Sequence, residues 1–348
     1  MSGTSLDGLD LAYCEFQKKK NVWTYKVLFA ETLPYSKIWK NKLSLAFKKT
    51  KHEIEFLDKT YGEFIGKSVK SFILKYDLQP TLISSHGHTI FHDPRKGITL
   101  QIGNGIAIAS KCKLPVVNNF RLGDVLLGGQ GAPLVPVADK YLFSEYEFCL
   151  NLGGFANISL DNPLGTRIAF DICPVNIILN RLSNHLGKEF DKDGLLAKKG
   201  KINIELLNQM NELDFYKKTP PKSLGREWIE NEFEPLLLKK NISVFDKLRT
   251  VTEHAAIQLS TAINLFSQNP NDKVLLTGGG GYNKFLIIRL RQLIKCKLIL
   301  PNNHTIQFKE AMAFGFLGVL KIREEINILK SVTGAKFDSC GGQLFFPD

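Results

Sequence analysis

Three glycine-rich turns are the first candidates for chemistry in this sequence. They lie at residues 3–8, 153–154 and 278–281, each beside a short segment with the pattern of a strand. Glycine backbone N–H groups can approach phosphate oxygens without a side chain in the way. None of the turns matches the G-x-x-x-x-G-K-[ST] pattern, and residues 278–281 lack the G-x-G-x-x-G spacing. One such sequence by itself is more simply a tight turn, but three in one chain favour a bound nucleotide.

Asp171 is the best-placed candidate for acid–base chemistry. It closes a predicted strand at 167–171 and is followed by Ile172-Cys173-Pro174. A carboxylate at the carboxyl end of a strand points into the ligand crevice of an open α/β sheet. There it would act as a general base, an effect worth roughly 10²- to 10⁴-fold in rate. The alternative is an N-cap for the segment that begins at Pro174, and the sequence leaves both open.

Other polar residues have less specific patterns. Four aspartates in polar breaks could hold Mg²⁺ through water, namely Asp7, Asp124, Asp191 and Asp193. His86, His88 and His92 lack the H-E-x-x-H spacing, so structural or substrate-binding roles are favoured over a metal site. Arg121 could bind a carboxylate or phosphate bidentately, or form a surface salt bridge. Glu310 opens a predicted helix, where a glutamate ordinarily complements the helix dipole.

The elements that would position these residues alternate between strands and helices. Strands are predicted at 9–16, 22–33, 81–88, 99–102, 115–117, 148–152, 156–160, 167–171, 273–277 and 297–300. Helices are predicted within 35–75 and at 107–112, 175–187, 203–210, 225–237, 246–267 and 308–322. A strand and glycine-turn pattern near the N-terminus recurs at 148–160. The sequence therefore predicts a mixed α/β protein with two related halves.

Composition and charge exclude several classes of protein. The 348 residues are 44% hydrophobic and 23% charged, which is typical of a globular protein rather than a disordered, collagen-like or coiled-coil chain. The 46 Lys and Arg against 34 Asp and Glu give a net charge of +12, and the basic residues are mostly scattered lysines. We therefore expect no nucleic-acid partner, and a lysine-coated surface that suits a small anionic substrate.

The cysteines and the apolar segments bear on location. Six singly spaced cysteines predict reduced thiols in a cytosolic protein. No apolar run reaches the roughly 18 residues of a membrane span. The first residues, Met1-Ser2-Gly3-Thr4, do not have the pattern of a signal peptide. We expect a cytoplasmic protein with no membrane partner, and the sequence leaves a homodimer open.

Taken in order, the motifs of this chain resemble the anhydro-N-acetylmuramic acid kinase family. The most diagnostic is the run GGQGAPLVP at residues 128–136. The other matching segments are MSGTSLDGLD at 1–10, SHGHTIFH at 85–92, LQIGNG at 100–105, NFR at 119–121 with Asp124, NLGGFAN at 151–157, FD at 170–171 with Pro174 and Asn176, PPKS at 220–223, GRE at 225–227, GGG at 278–280 and KEAMAF at 309–314.

The resemblance implies an α/β, two-lobed actin-like ATPase fold, of the kind found in sugar kinases, Hsp70 and actin, with the active site in the interlobe cleft. The first lobe would comprise residues 1–135, rejoined by a C-terminal helix at about 325–348. The second lobe would comprise residues 136–324.

The resemblance also implies one coupled reaction that uses ATP and Mg²⁺. The 1,6-anhydro ring of an anionic amino sugar, 1,6-anhydro-N-acetylmuramic acid, is opened by water and phosphorylated at O6 during cell-wall recycling. Asp171 would activate the water that attacks C1. The lactyl carboxylate of the sugar is a natural partner for an arginine. Two alternatives are a non-catalytic sensor of ATP and sugar on the same fold, and a kinase for another sugar.

Site residues follow from the matched motifs. The catalytic residue implied is Asp171, and no side chain is implied as a direct metal ligand. The implied ATP-binding residues are Gly3, Thr4, Ser5, Leu6, Asp7, Gly8, Leu9, Asp10, Gly153, Gly154, Gly278, Gly279 and Gly280. The implied sugar-binding residues are Thr89, Arg121 and Glu310.

The sequence departs from the family pattern at a few positions. Ile172-Cys173 stands where Thr-Gly is common, Asn119 stands where Asp is frequent, and His88 stands where Gln is usual. The family also has a strand before the Met-Ser-Gly-Thr motif. We therefore expect the natural start to lie upstream of Met1.

Overall fold

The computed structural model describes residues 1–3, 6–238 and 241–347. Strands and helices alternate along the chain, which confirms the mixed α/β class. The chain divides into two compact units. Unit 1 comprises Met1–Leu142 and Phe308–Asp348, and unit 2 comprises Phe143–Gln307.

Unit 1 begins with a long antiparallel hairpin. It consists of β1 (Gly8–Lys19) and β2 (Val22–Pro34), as the alternation at 9–16 and the aromatic and β-branched residues at 22–33 predict. Lys20 and Asn21 join the strands with positive φ angles of 47° and 65°, a pair of left-handed residues that matches the twist of a two-residue hairpin. The hairpin carries the end of the first glycine-rich turn, because Gly8 is the first residue of β1.

Two smaller sheets complete the strands of unit 1. The first has the order β12-β6-β3 and contains β3 (Ile83–Ser84), β6 (Val116–Asn118) and β12 (Gln343–Phe345). The strand β3 runs parallel to β6, and β12 runs antiparallel to it. The second is a hairpin of β4 (His88–Asp93) and β5 (Ile98–Ile102).

The helices of unit 1 cover these sheets. They are α1 (Lys37–Ser44), α2 (Lys51–Tyr76), α3 (Gly105–Cys112), α4 (Leu122–Leu126), α5 (Pro136–Leu142), α13 (Asn303–Ile322, from Phe308 onward) and α14 (Lys330–Thr333). A capping box of Thr50 and Glu53 starts α2. Its buried side, including Leu57, Tyr61 and Ile65, packs into the core of this unit with β1.

The C-terminal segment differs from the helix expected at about 325–348. It contains only the short α14, and then β12, which pairs with β6. Gly334 ends α14 with a φ of 77°, and Gly342 precedes β12 with a φ of 102°. Both are left-handed conformations that interrupt a helix. The prediction of a C-terminal helix was wrong.

The unit boundaries fall at other residues than the expected lobe boundaries at 135 and 325. The helix α5 contacts β2, and its Asp139 forms an ion pair of 2.7 Å with Lys309 of α13. Both charged side chains are buried, so each needs the other as a partner. This ion pair links α5 to α13, and both of its residues belong to unit 1.

Unit 2 is built on one five-stranded sheet in the order β11-β10-β7-β8-β9. Its strands are β7 (Phe148–Leu152), β8 (Phe155–Asp161), β9 (Arg167–Pro174), β10 (Lys273–Thr277) and β11 (Lys297–Ile299). The strand β8 runs antiparallel to its neighbours β7 and β9, whereas β10 runs parallel to β7 and β11. This order and these directions are those of one half of the actin-like ATPase fold, as expected.

Helices pack against the sheet of unit 2. They are α6 (Asn176–Asn184), α7 (Ile204–Asn211), α8 (Asp214–Lys217), α9 (Arg226–Trp228), α10 (Glu234–Leu237), α11 (Val244–Phe266) and α12 (Lys284–Leu293), with a π-helical turn at Ile229–Phe233. The core is continuous from the sheet to α6 and α11. Among the described residues, no helix is both long and apolar enough to span a membrane.

Candidate active site

Two of the three glycine-rich turns meet at one edge of the sheet in unit 2. The neighbouring strands β7 and β10 are parallel, and Asn151 pairs with Thr277 near their carboxyl ends. Gly153-Gly154 follows β7, and Gly278 to Gly280 follow β10. Gly278 has a φ of 79°, and a Cβ there would lie 2.6 Å from Asn151 Oδ1. Only glycine fits this close approach, so the fold itself requires glycine at position 278. The absence of a side chain there also suits a phosphate ligand.

The start of α6 lies at the same edge. The amide of Val175 donates to Gly154 O at 2.8 Å, and Asn176 Nδ2 donates to Leu152 O at 3.1 Å. A Cβ on Gly280 would lie 3.4 Å from Asn176 Nδ2. Asn176 therefore lies beside both glycine turns at the N-terminus of a helix, where positive partial charge favours an anion.

Asp171 lies on β9, three residues before the strand ends. Its Oδ2 accepts a hydrogen bond of 2.8 Å from the Leu224 amide, and its own amide donates to Lys222 O at 2.9 Å. The N-cap of α6 is Val175, without a side-chain bond, so the capping alternative for Asp171 is excluded. Because β9 is parallel to β7, Asp171 lies toward the same edge of the sheet as the glycine turns.

Burial shapes the acidity of Asp171. Desolvation raises the pKa of this half-buried carboxyl, and the hydrogen bond from Leu224 opposes the rise. A carboxylate with a raised pKa is a stronger base than an ordinary carboxylate. Asp171 therefore has the electrostatics that a general base needs.

In unit 1, Arg121 is held by two hydrogen bonds. Its Nε donates to His86 Nε2 at 3.0 Å, and its Nη1 donates to Gly131 O at 2.7 Å. Burial lowers the pKa of Arg121 to about 10, so it stays charged at neutral pH. Burial and the charge of Arg121 lower the pKa of His86 well below its usual range. The neutral imidazole can therefore accept from Arg121 through Nε2 while Nδ1 donates to Gly87 O.

Glu310 and Asp10 share the electrostatic environment of Arg121. Burial raises the pKa of Glu310, the charge of Asp10 raises it further, and Arg121 and Lys309 lower it. The Glu310 side chain is nonetheless exposed to solvent. Unit 1 thus brings together Asp10, Arg121 and Glu310, three residues that the resemblance assigned to ATP or sugar.

Thr89 is half-buried on β4, opposite Gln101 of β5. The same hairpin carries His92, whose Nδ1 lies 3.1 Å from Thr99 Oγ1. Burial and then the charge of Arg121 lower the pKa of His92. The hairpin that bears Thr89 therefore lies within electrostatic range of Arg121.

A buried polar chain lies behind the N-terminal turn. Ser2 Oγ is 2.9 Å from His88 Nδ1, Tyr35 donates to Ser2 Oγ at 2.7 Å, and the Tyr35 and Tyr61 hydroxyls are 2.6 Å apart. Burial lowers the pKa of His88, which favours a neutral ring whose Nδ1 accepts a hydrogen bond from the Ser2 hydroxyl. This chain ties the residue before Gly3 to the residue before Thr89, and no sequence pattern signalled it.

The N-terminal turn itself is partly described. The predicted ligands Thr4 and Ser5 lie outside the described residues. Leu9 is buried in the core of unit 1, so only its backbone could face a nucleotide. Leu6 has a φ of 58°, and Asp7 is exposed. Met1 and Asp10 exchange two backbone bonds, from the Met1 ammonium to Asp10 O and from the Asp10 amide to Met1 O.

Three of the four aspartates suggested for Mg²⁺ have structural partners instead. Asp124 accepts from the Gly131 amide and from Thr333 Oγ1, both at 2.7 Å. The Asp191 carboxylate accepts hydrogen bonds from the amides of Leu196 and Ala197 in its own loop. Asp193 forms an ion pair of 3.3 Å with Lys284. Within residues 1–3, 6–238 and 241–347, no three His, Cys, Asp or Glu side chains converge as a metal cluster.

These features define a class of protein. A carboxylate with a raised pKa lies toward the sheet edge at which two glycine turns and a helix N-terminus meet, which is the arrangement of an α/β enzyme with an anionic ligand at that edge.

The comparisons give the family. The sequence model of the anhydro-N-acetylmuramic acid kinase family matches residues 1–347. An anhydro-N-acetylmuramic acid kinase of Francisella tularensis subsp. novicida is 33% identical over 99% of this chain and 97% of its own length. One from Caldanaerobacter subterraneus subsp. tengcongensis is 32% identical over 99% and 95%. The chain belongs to the anhydro-N-acetylmuramic acid kinase family.

Solved structures give weaker similarities. An activator of 2-hydroxyisocaproyl-CoA dehydratase from Clostridium difficile with bound ADPNP has 12% identity and a TM-score of 0.37, over 65% of this chain and 86% of that one. An ethanolamine utilization protein from Carboxydothermus hydrogenoformans has 15% identity and a TM-score of 0.32, over 70% of both chains.

Proposed function

We propose that this protein is an ATP-dependent kinase that opens 1,6-anhydro-N-acetylmuramic acid with water and phosphorylates it at O6. The product is N-acetylmuramic acid 6-phosphate, formed in peptidoglycan recycling. Family membership over the whole described chain supports the substrate. The single structural observation that supports the chemistry is the Asp171 carboxyl, with one oxygen bonded to the Leu224 amide.

The proposed reaction begins with proton transfer to Asp171. The Oδ2 atom is occupied by Leu224, and Oδ1 has no hydrogen-bond partner among the described residues. A water that lies against Oδ1 gives up a proton to the carboxylate while its oxygen attacks C1. The C1–O6 bond breaks and its electron pair leaves with O6. That oxygen then attacks the γ-phosphorus of ATP, and ADP leaves. The Asp171 proton later returns to solvent.

The chain offers groups that suit ATP and Mg²⁺. We assign the ATP phosphates to the backbone N–H groups of the turns at 3–8, 153–154 and 278–280. The Asp10 carboxylate fits Mg²⁺, because this ion is commonly held by one or two carboxylates together with substrate phosphates. When bound, Mg²⁺ neutralises charge on the transferring phosphoryl group.

The sugar is assigned to Thr89, Arg121 and Glu310. Arg121 is positioned in advance by His86 and Gly131, so its guanidinium loses little freedom when a ligand binds.

The cytoplasmic location and a homodimer remain predictions.

The test is mass spectrometry after mixing the protein with Mg-ATP and 1,6-anhydro-N-acetylmuramic acid in ¹⁸O-labelled water. A sugar that gains one phosphate and one labelled oxygen at C1 would support the coupled reaction. Phosphorylation without the label would indicate a simple kinase. Binding of ATP and sugar without any product would indicate a sensor, and either result contradicts the proposal.

A further inference from the structure

The Asp171 carboxyl is held by a segment that has no helix or strand of its own. Residues 218–225, all within the described chain, connect α8 to α9 without regular structure. Lys222 O accepts from the Asp171 amide at 2.9 Å, and the Leu224 amide donates to Asp171 Oδ2 at 2.8 Å. A side chain keeps one orientation only if the groups that hold it are themselves held. The orientation of the Asp171 carboxylate therefore depends on what fixes residues 222–224.

The Lys222 side chain fixes this segment. Its Nζ donates to Phe215 O at 3.3 Å and lies 4.7 Å from the centroid of the Phe215 ring. An ammonium over an aromatic ring is attracted to the negative face of that ring. Lys222 thus makes two side-chain contacts with one residue of α8, while its backbone carbonyl binds Asp171 of β9.

Phe215 is itself firmly packed. Its side chain is buried, and its ring centroid lies 5.4 Å from that of Trp228 and 5.5 Å from that of Tyr216. The Tyr216 hydroxyl is 2.8 Å from His254 Nε2 on α11, a helix of the core of unit 2. Aromatic contacts and a hydrogen bond therefore connect the anchor of Lys222 to this core helix.

We infer that Lys222 is a positioning residue for Asp171. The inference rests on the proposed function, in which Asp171 takes a proton from water. The Lys222 side chain holds residues 222–224 against β9, so the Leu224 amide keeps Oδ2 in place and leaves Oδ1 for the water. Displacement of a reacting group by 1 Å can cost about 100-fold in rate. Contact between Lys222 and a ligand is not part of this inference.

The test is the Lys222→Met variant, which keeps most of the side-chain volume but loses the ammonium. Its kcat with Mg-ATP and 1,6-anhydro-N-acetylmuramic acid should fall about 10-fold, because the base is less well oriented. KM for each substrate should stay within about twofold of the wild-type value, since the anchor touches Phe215 and not a substrate. Dissociation constants for ATP and for the sugar, measured in an Asp171→Asn background, should be equally insensitive to Lys222→Met.

The pH profile separates positioning from a general loss of stability. Burial raises the pKa of Asp171, and the hydrogen bond from the Leu224 amide opposes the rise. A weaker bond leaves the pKa higher, so the loss of kcat as pH falls should begin at a higher pH in Lys222→Met than in the wild-type protein. The thiol of Cys173 lies within electrostatic range of Asp171 and Lys222, but burial raises its pKa and it stays neutral in this range.

Two variants control for charge and for the kind of anchor. Lys218→Met removes one positive charge from the same segment, and the exposed Lys218 side chain acts on Lys222 through that charge. It should leave kcat within about twofold and the pH profile unmoved. Lys222→Arg keeps a charged donor that can stack on the Phe215 ring, so it should retain at least about half of kcat.

Several results would overturn the inference. An unchanged kcat in Lys222→Met would show that the anchor is not needed, and a raised KM for the sugar alone would make Lys222 a ligand contact instead. A lower kcat with an unmoved pH profile would indicate a loss of folded protein, which circular dichroism measures. An effect of equal size in Lys218→Met would assign the loss to charge. Failure of Lys222→Arg to retain activity would show that a charged donor over the Phe215 ring does not hold the segment.

The proposed function fails by a different result. If the wild-type protein forms no phosphorylated sugar, that function is contradicted whatever the Lys222 variants show. If the wild-type protein forms the labelled product and the Lys222 variants behave like it, only the positioning role is rejected.

Discussion

The two units contain similar strands, but only unit 2 arranges them in one sheet. The antiparallel pair β1–β2 corresponds to β8–β9, and the parallel pair β3–β6 corresponds to β10–β11. In unit 2, β7 lies between β8 and β10 and bonds to both. Among the described residues, no strand lies between β1 and β3 of unit 1.

The units also hold their glycine turns in different ways. In unit 2 the turn at 153–154 follows a full strand, whose last residue Leu152 pairs with Ala156. In unit 1, beside the turn at 3–8, Met1 and Asp10 form one pair of reciprocal backbone hydrogen bonds. Side chains supply the rest, through Ser2, His88 and Tyr35. The turn at 153–154 thus follows a ladder of backbone bonds, and a buried polar chain lies beside the turn at 3–8.

The largest expected effect concerns chemistry, which the proposal assigns to unit 2. Asp171→Asn should lower kcat by at least about 100-fold, because an amide cannot take the proton from water. It should preserve the fold and ATP binding, which circular dichroism and calorimetry would show. Near-normal turnover would reject Asp171 as the base.

A second prediction compares one buried aspartate from each unit. Asp124→Ala should lower the free energy of unfolding by about 3 kcal/mol, because the Gly131 amide and the Thr333 hydroxyl lose their buried acceptor. Asp191→Ala should cost less, because Asp191 binds only amides five and six residues away. Urea unfolding measures both. An equal loss in both variants would contradict the greater weight that we give to long-range bonds.

A third prediction concerns pH. Burial lowers the pKa of His254 in unit 2 to about 3. In the pH range between that value and about 6.5 the unfolded chain binds more protons, so stability falls as pH falls. His254 should contribute about 2 kcal/mol of this loss between pH 7 and pH 5. Urea unfolding of His254→Gln at both pH values should show a smaller loss than the wild-type protein, and an unchanged loss would be inconsistent with a neutral His254.

The smallest expected effect tests the sheets themselves. The Asp10 amide points away from β2 toward Met1, so the Ala12 amide, two residues on, points the same way. Ile158 of β8 has bonded strands on both sides. Hydrogen exchange at Ala12 should therefore be at least about ten times faster than at Ile158. Equal protection would show that the outer edge of β1 is covered, which would remove the difference between the units.

Much of the fold could be predicted from local patterns. Alternation predicted β1, aromatic and β-branched residues predicted β2, and short apolar runs before glycines predicted β7 and β10. Periodicity, composition and turn chemistry are properties of neighbouring residues. The helix at about 325–348, which the resemblance implied and local patterns did not predict, is absent from the described residues, because β12 pairs with β6 there. Long-range pairing of this kind has no local signal.

For the candidate site, the sequence by itself determined which residues could do chemistry, and Asp171 and the glycine turns could be named from residue type and spacing. Only the tertiary structure decided which chemistry was available. It placed the Asp171 carboxylate against the Leu224 amide instead of at a helix N-terminus. It also gave the carboxylate oxygens of Asp124 and Asp191 hydrogen-bond donors within the protein, in place of a metal ion. The physical reason is that burial and hydrogen-bond partners set the charge state and freedom of a carboxylate, and both come from residues distant in the chain.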